Sequence, residues 1–160
     1  MSTTTEGATP GFLVWRLSMK WRVAVDRAVG PVGLTHAQYS LLASLYGMAR
    51  SGRQPSQREL ADHTGLEALY VSKLARTLEG SGLIERTRDA ADSRAIRLSL
   101  TEHGHEVTGR AIGIVRELHE RFLAPLGGPG SPRTAAFTAE LAALLDTPLD
   151  PDPAEGSGGA

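Results

Sequence analysis

Between residues 11 and 29 apolar side chains recur on two sides of a helix rather than one. At about 100° per residue, Leu13, Val14, Leu17, Trp21, Ala24, Val25 and Ala28 share one broad face. Phe12, Trp15, Met19 and Val23 line a second stripe. Arg16, Lys20 and Arg27 separate the two on one side, and Ser18, Arg22 and Asp26 lie toward the other. A helix apolar on two sides is expected to be buried on two sides. In a chain this small, the second surface is expected to be another subunit.

Gly30, Pro31 and Gly33 break that helix. Thr35 and Gln38 then stand at capping-box spacing, and Leu34 and Tyr39 at that of a hydrophobic staple, so a second helix is expected to run to about residue 49. Ser56 and Glu59 repeat the capping box and open a short third helix, which Thr64-Gly65 closes. A fourth helix is expected over residues 67–79. Two short helices across a tight Gly-containing turn make a helix-turn-helix.

After Gly80-Ser81-Gly82 the period changes to loose alternation over residues 83–88. A turn-rich stretch, Asp89-Ala90-Ala91-Asp92-Ser93, precedes Ile96, Leu98 and Leu100 alternating with Arg97 and Ser99. The pattern predicts a β-hairpin with a charged tip, which after a helix-turn-helix is a wing. Thr101 is placed to cap a long helix carrying Val107, Ala111, Ile114, Val115, Leu118 and Phe122. Ser131-Pro132 opens a last helix with Phe137, Leu141, Leu144 and Leu145. Residues 1–10 read as a flexible leader and 147–160 as a disordered acidic tail. The fold class is therefore α+β and mainly helical. Residues 11–146 form one winged helix-turn-helix domain, with a lobe at about 35–100 between dimerisation helices at 11–34 and 101–146.

Composition narrows the chemistry. The 160 residues include no cysteine, which excludes disulfides, thiolate zinc sites and cysteine redox sensing. No apolar run approaches the ~20 residues of a membrane span and no signal peptide is evident, so the cytoplasm is the expected compartment. A net charge of −1 is unusual for a nucleic-acid binder. Without Asp146, Asp150, Asp152 and Glu155, however, the remainder carries +3. The case for DNA rests on local arrangement.

On the fourth helix Val71, Leu74, Ala75 and Leu78 form the core side. Leu69, Ser72, Lys73, Arg76 and, at the edge, Thr77 project oppositely. Lysine and arginine can donate to guanine or phosphate, and serine to backbone or base. The bland alternative is an ordinary solvated face, and position between a capped helix and a wing favours DNA. The wing tip carries Arg88, Asp89, Asp92 and Arg94. Asp92 and Arg94 at i, i+2 can share one side of an extended segment, so the carboxylate is expected to orient the arginine, which suits a narrow minor groove. A weak exposed ion pair is the alternative.

The segment from Ala61 to Gly104 resembles the MarR (multiple antibiotic resistance regulator) family of winged-helix repressors. The resemblance is carried by Glu59-Leu60-Ala61, Val71-Ser72-Lys73-Leu74, Leu78-Glu79 and Gly82-Leu83-Ile84-Glu85-Arg86. It is completed by the run from Asp89 through Asp92-Ser93-Arg94 to Leu100-Thr101-Glu102-His103-Gly104. The resemblance implies a homodimer, intertwined through its first and last helices, on a pseudo-palindromic double-stranded DNA operator. Arg94 would enter the minor groove supported by Asp92. Ser72, Lys73 and Arg76 would face the major groove with Leu69 and Tyr70 alongside, Arg88 would lie in the wing, and Ser56 and Gln57 would sit near phosphate. Tyr70 departs from a usual small hydroxyl residue and Glu67 from a better cap. Ser93 replaces a frequent second arginine, which predicts weaker, less salt-dependent binding.

The resemblance further implies a repressor released by a small aromatic or phenolic ligand, with Trp15, Arg16, Met19, His36 and Tyr39 bordering its space. Core packing is the alternative for the Trp and Met. His103 and His105 diverge at i, i+2 on a helix, so no metal is expected. No nucleophile–base signature or phosphate loop argues for an enzyme, and no cofactor is expected. Two other functions fit the same fold: a protein-interaction module, or a small-molecule-binding helical dimer without sequence-specific DNA binding.

Overall fold

The computed structural model describes residues 7–150. Six helices and one hairpin follow in order: α1 (Pro10–Val29), α2 (His36–Arg50), α3 (Gln57–Thr64), α4 (Ala68–Gly80), β1 (Ile84–Arg88), β2 (Ile96–Leu100), α5 (Glu102–Leu123) and α6 (Pro132–Leu145). Short 3-10 turns follow α1 and α5. By packing, the chain divides into two units, one up to Leu118 and one from His119.

Local signals set most boundaries. Thr9 caps α1 by accepting from the Phe12 N–H, with Pro10 at the first turn, so the helix begins inside the stretch read as leader. Both expected capping boxes form, Thr35 with Gln38 on α2 and Ser56 with Glu59 on α3. Gly65 ends α3 at φ 73°, a left-handed conformation that a side chain would strain. Glu67 precedes α4 without a side-chain capping bond. The final residues of the chain, 151–160, lie outside the described ones, and with them most of the expected acidic tail.

The core of the first unit is where the pattern places it. Leu41, Leu42 and Leu45 of α2, Leu60 of α3, Val71 and Leu78 of α4, Ile84 of β1 and Leu98 of β2 are buried together. Val107, Ala111 and Val115 of α5 join them. From α1 only Val25 and Val29 are buried, whereas Phe12, Leu13, Val14, Trp15, Met19 and Val23 remain exposed. The two-sided helix is thus covered within the protomer only at its C-terminal end.

β1 and β2 pair antiparallel, with Ile84 opposite Leu100 and Arg88 opposite Ile96. The free edge of β2 takes a short third segment, since the Leu98 N–H donates to the Pro55 carbonyl (2.9 Å) and Ser56 bridges Arg97. The wing is thereby joined to the entry of α3. At its base the Thr101 hydroxyl donates to the Gly82 carbonyl (2.6 Å) and accepts from the Gly104 N–H (2.9 Å). One side chain therefore both caps α5 and ties it to the loop before β1.

In the second unit Ser131 caps α6 and Pro132 opens it. Thr134 is buried and donates to the Gly128 carbonyl at 2.7 Å. Leu144 and Leu145 are exposed.

Candidate nucleic-acid interface

The α4 pattern yields a helix with one buried and one exposed side. Val71, Leu74, Ala75 and Leu78 are buried, which leaves Leu69, Tyr70, Lys73 and Arg76 exposed and Ser72 half-buried. The polar side is therefore available over its whole length, and it begins at the first turn, where a recognition helix meets base edges.

The wing tip differs from the expected arrangement. Asp92 does not hold the Arg94 side chain; its Oδ1 accepts from the Arg94 backbone N–H at 3.0 Å. The reason is conformational. Residues 92–94 lie in a turn, where strand alternation does not apply and a short carboxylate bonds the backbone two residues on. Asp89 does the same with the N–H groups of Ala91 (2.7 Å) and Asp92 (3.1 Å). Two aspartates thus shape the tip, and Arg94 leaves it exposed, its guanidinium without a protein partner among the described residues. Arg88 donates from Nη1 to the Ser93 carbonyl at 3.4 Å and is also exposed.

The arginine that an aspartate does hold is Arg97. Its Nε donates to Asp89 Oδ2 at 2.6 Å, and its Nη1 to the Gln54 carbonyl at 3.0 Å and to Glu59 Oε2 at 3.3 Å. Glu59 is also the residue that completes the cap of α3. Arg97 therefore joins the wing tip, the segment before α3 and the first turn of α3 in one network. Arg86 makes a second tie, from Nε to Gln57 Oε1 at 3.2 Å and toward Glu79 at 3.6 Å. Sequence reasoning missed both arginines. Their place on the wing strands gave no local signal, because the partners of each meet it only in the folded lobe.

Two positions expected near phosphate belong to the same ties. Ser56 is buried with its hydroxyl oxygen accepting from the Glu59 N–H, and the Gln57 side-chain amide oxygen accepts from Arg86, which leaves the Ser56 O–H and the Gln57 amide N–H groups as donors. Both positions fix the geometry of the α3 start. Arg58 stands exposed beside them.

The Arg97 guanidinium, followed by the Ala91 and Asp92 amides, holds the Asp89 carboxyl down to about 2. Because this folded value lies below the ordinary carboxylate value, the stabilisation is complete above about pH 4 and is lost as pH falls toward 2. Amide protection at Ala91 and Asp92, taken relative to the intrinsic exchange rate at each pH, is expected to hold from pH 7 to 4 and to fall below it. In Asp89→Ala it is expected to be low already at pH 7. Protection in that variant equal to wild type would contradict the network.

The residues expected around a ligand separate into two groups. Trp15, Arg16 and Met19 are exposed on the first half of α1, with Arg16 lying 6.0 Å over the Phe12 ring. His36 and Tyr39 are half-buried at the start of α2, where the His36 N–H donates to Asp26 Oδ1 at 2.6 Å. Asp26 is seven residues along α1 from Met19, or about 10 Å of helix. Burial lowers the His36 pKa, against the pull of Asp26, and raises that of Tyr39, so both are neutral near pH 7. Among the described residues no group of His, Asp and Glu could hold a metal ion, and no helix is long and apolar enough to cross a membrane.

A capped helix-turn-helix, a cationic α4 face and a wing tied to α3 match a known family. A MarR family model matches residues 32–95. The HTH-type transcriptional regulator YdcH of Bacillus subtilis is 38% identical over 116 residues, covering 72% of this chain and 79% of that protein. The chain belongs to the MarR family. Its fold is close to that of the transcriptional repressor CouR bound to a 23-mer DNA duplex, with a TM-score of 0.74 and 28% identity over 91% of this chain and 98% of that one. The PcaV transcriptional regulator from Streptomyces coelicolor, solved with its natural ligand, has a TM-score of 0.71 and 25% identity over 92% of this chain and 99% of that one. The chain is thus a MarR-family transcriptional regulator of winged-helix fold.

Proposed function

We propose that the protein is a homodimeric repressor that binds a pseudo-palindromic operator, with α4 in the major groove and the wing in the flanking minor groove. The observation that carries this reading is the exposed Arg94 guanidinium, projected from a tip shaped by two aspartates and anchored by Arg97 to the lobe that presents Lys73 and Arg76. An arginine so placed meets the enhanced negative potential of a narrow minor groove. The exposed apolar stripe of α1 supplies the surface for a second copy. Similarity to a repressor solved on a 23-mer duplex supports an operator of about two helical turns.

A small aromatic or phenolic ligand releases the dimer in this reading, by binding one spacing of the lobes better than the other. Similarity to a regulator solved with its natural ligand supports it, as does the half-buried His36–Tyr39 pair. The protein acts in the cytoplasm and catalyses no reaction, in keeping with relatives that are transcriptional regulators. Hydroxyl-radical footprinting on the DNA flanking its own gene tests the binding mode. Two symmetric protected patches one turn apart are expected, and a single asymmetric patch would contradict it.

A further inference from the structure

Leu69 is 85% exposed, while every other large aliphatic side chain of α4 is buried. At about 100° per residue it lies opposite the centre of the buried Val71, Leu74, Ala75 and Leu78 face, between the rows of Lys73 and Arg76. It also stands in the first turn of α4, the part of a recognition helix that meets base edges. A leucine there can neither donate nor accept a hydrogen bond. The one apolar group that base edges present in the major groove is the thymine C5-methyl.

We propose that Leu69 is a specificity-determining residue of α4 and reads a thymine methyl in each half-site. Lys73 and Arg76 flank it and hold the helix to phosphate or guanine, so the leucine is pressed to the groove floor although its own contact is apolar. The assignment rests on the DNA-binding reading and adds the base class to it.

Duplexes selected by the full-length protein from a randomised library are rebuilt with each thymine replaced in turn by deoxyuridine, which removes only the methyl. At one position per half-site the replacement is expected to weaken wild-type binding about fourfold, the value of one methyl buried. Leu69→Ala, which loses the contact in both half-sites, should bind the thymine duplex about sixteenfold more weakly and no longer distinguish thymine from deoxyuridine. Its salt dependence should match wild type, because no charge is lost, and its exposure leaves the fold unaffected. A deoxyuridine penalty unchanged in Leu69→Ala, or no methyl-sensitive position at all, would overturn the assignment while leaving DNA binding intact. Failure to select any duplex over random DNA would overturn the DNA reading and this assignment with it.

Discussion

Gly104→Ala is expected to destabilise the protein by about 3 kcal/mol or more, at the upper end for an overpacked core position. A Cβ at this site would overlap the Leu83 carbonyl oxygen and lie 2.9 Å from its carbon. That carbonyl cannot move aside freely, because it accepts the Thr101 N–H at 3.1 Å, and Thr101 in turn holds Gly82 and caps α5. Relief of the clash therefore requires the wing base and the start of α5 to part. Gly47→Ala, at an exposed position of α2, is the matched control, since a Cβ there meets nothing within 4 Å. It should be stabilising by up to about 1 kcal/mol, the helix-propensity difference. Thermal melts of the two variants check both values. A Gly104→Ala protein melting with wild type would show that the α5–loop crossing is looser than described.

Arg94→Ala has the largest expected effect on DNA binding. The guanidinium is exposed, and only the backbone N–H of the residue is held, by Asp92. Its removal should leave the melting temperature unchanged while reducing operator affinity by about 1–3 kcal/mol, or roughly ten- to a hundredfold. Because the dimer loses one arginine in each half-site, the slope of log affinity against log salt should fall by about two as well. Arg97→Ala offers the contrast, because that side chain is tied to Asp89, Gln54 and Glu59. It should loosen the wing amides as well as the DNA complex. Equal amide protection in both variants would refute the distinction between a contacting and a positioning arginine.

The features legible in the sequence are those that depend on neighbours in the chain. Thr35–Gln38 and Ser56–Glu59 close their boxes within one helical turn, and Gly65 ends α3 by its own backbone conformation, so each could be read from spacing. The buried face of α4 followed from periodicity alone. The hairpin and its turn-rich tip were legible, but the Asp92–Arg94 pairing was not, because i, i+2 spacing places side chains together only in a strand, whereas these residues form a turn and Asp92 bonds backbone. The Arg97 network was invisible because its partners stand 8, 38 and 43 residues away and meet only once β2 lies beside the entry to α3. The Arg86–Gln57 tie was hidden for the same reason, since it spans 29 residues.

The central claim, that exposed cations of α4 and the wing bind an operator, is tested most directly by titrating the DNA flanking the protein's own gene at two salt concentrations. Wild type, Arg94→Ala and Lys73→Ala are compared with a scrambled duplex of equal length. Selective wild-type binding that weakens with salt is expected, with a loss of affinity in both variants and a salt slope lower by about two for each, since the dimer carries every substitution twice. Affinities of the three proteins that coincide at both salts, on a duplex the wild type does select, would contradict it.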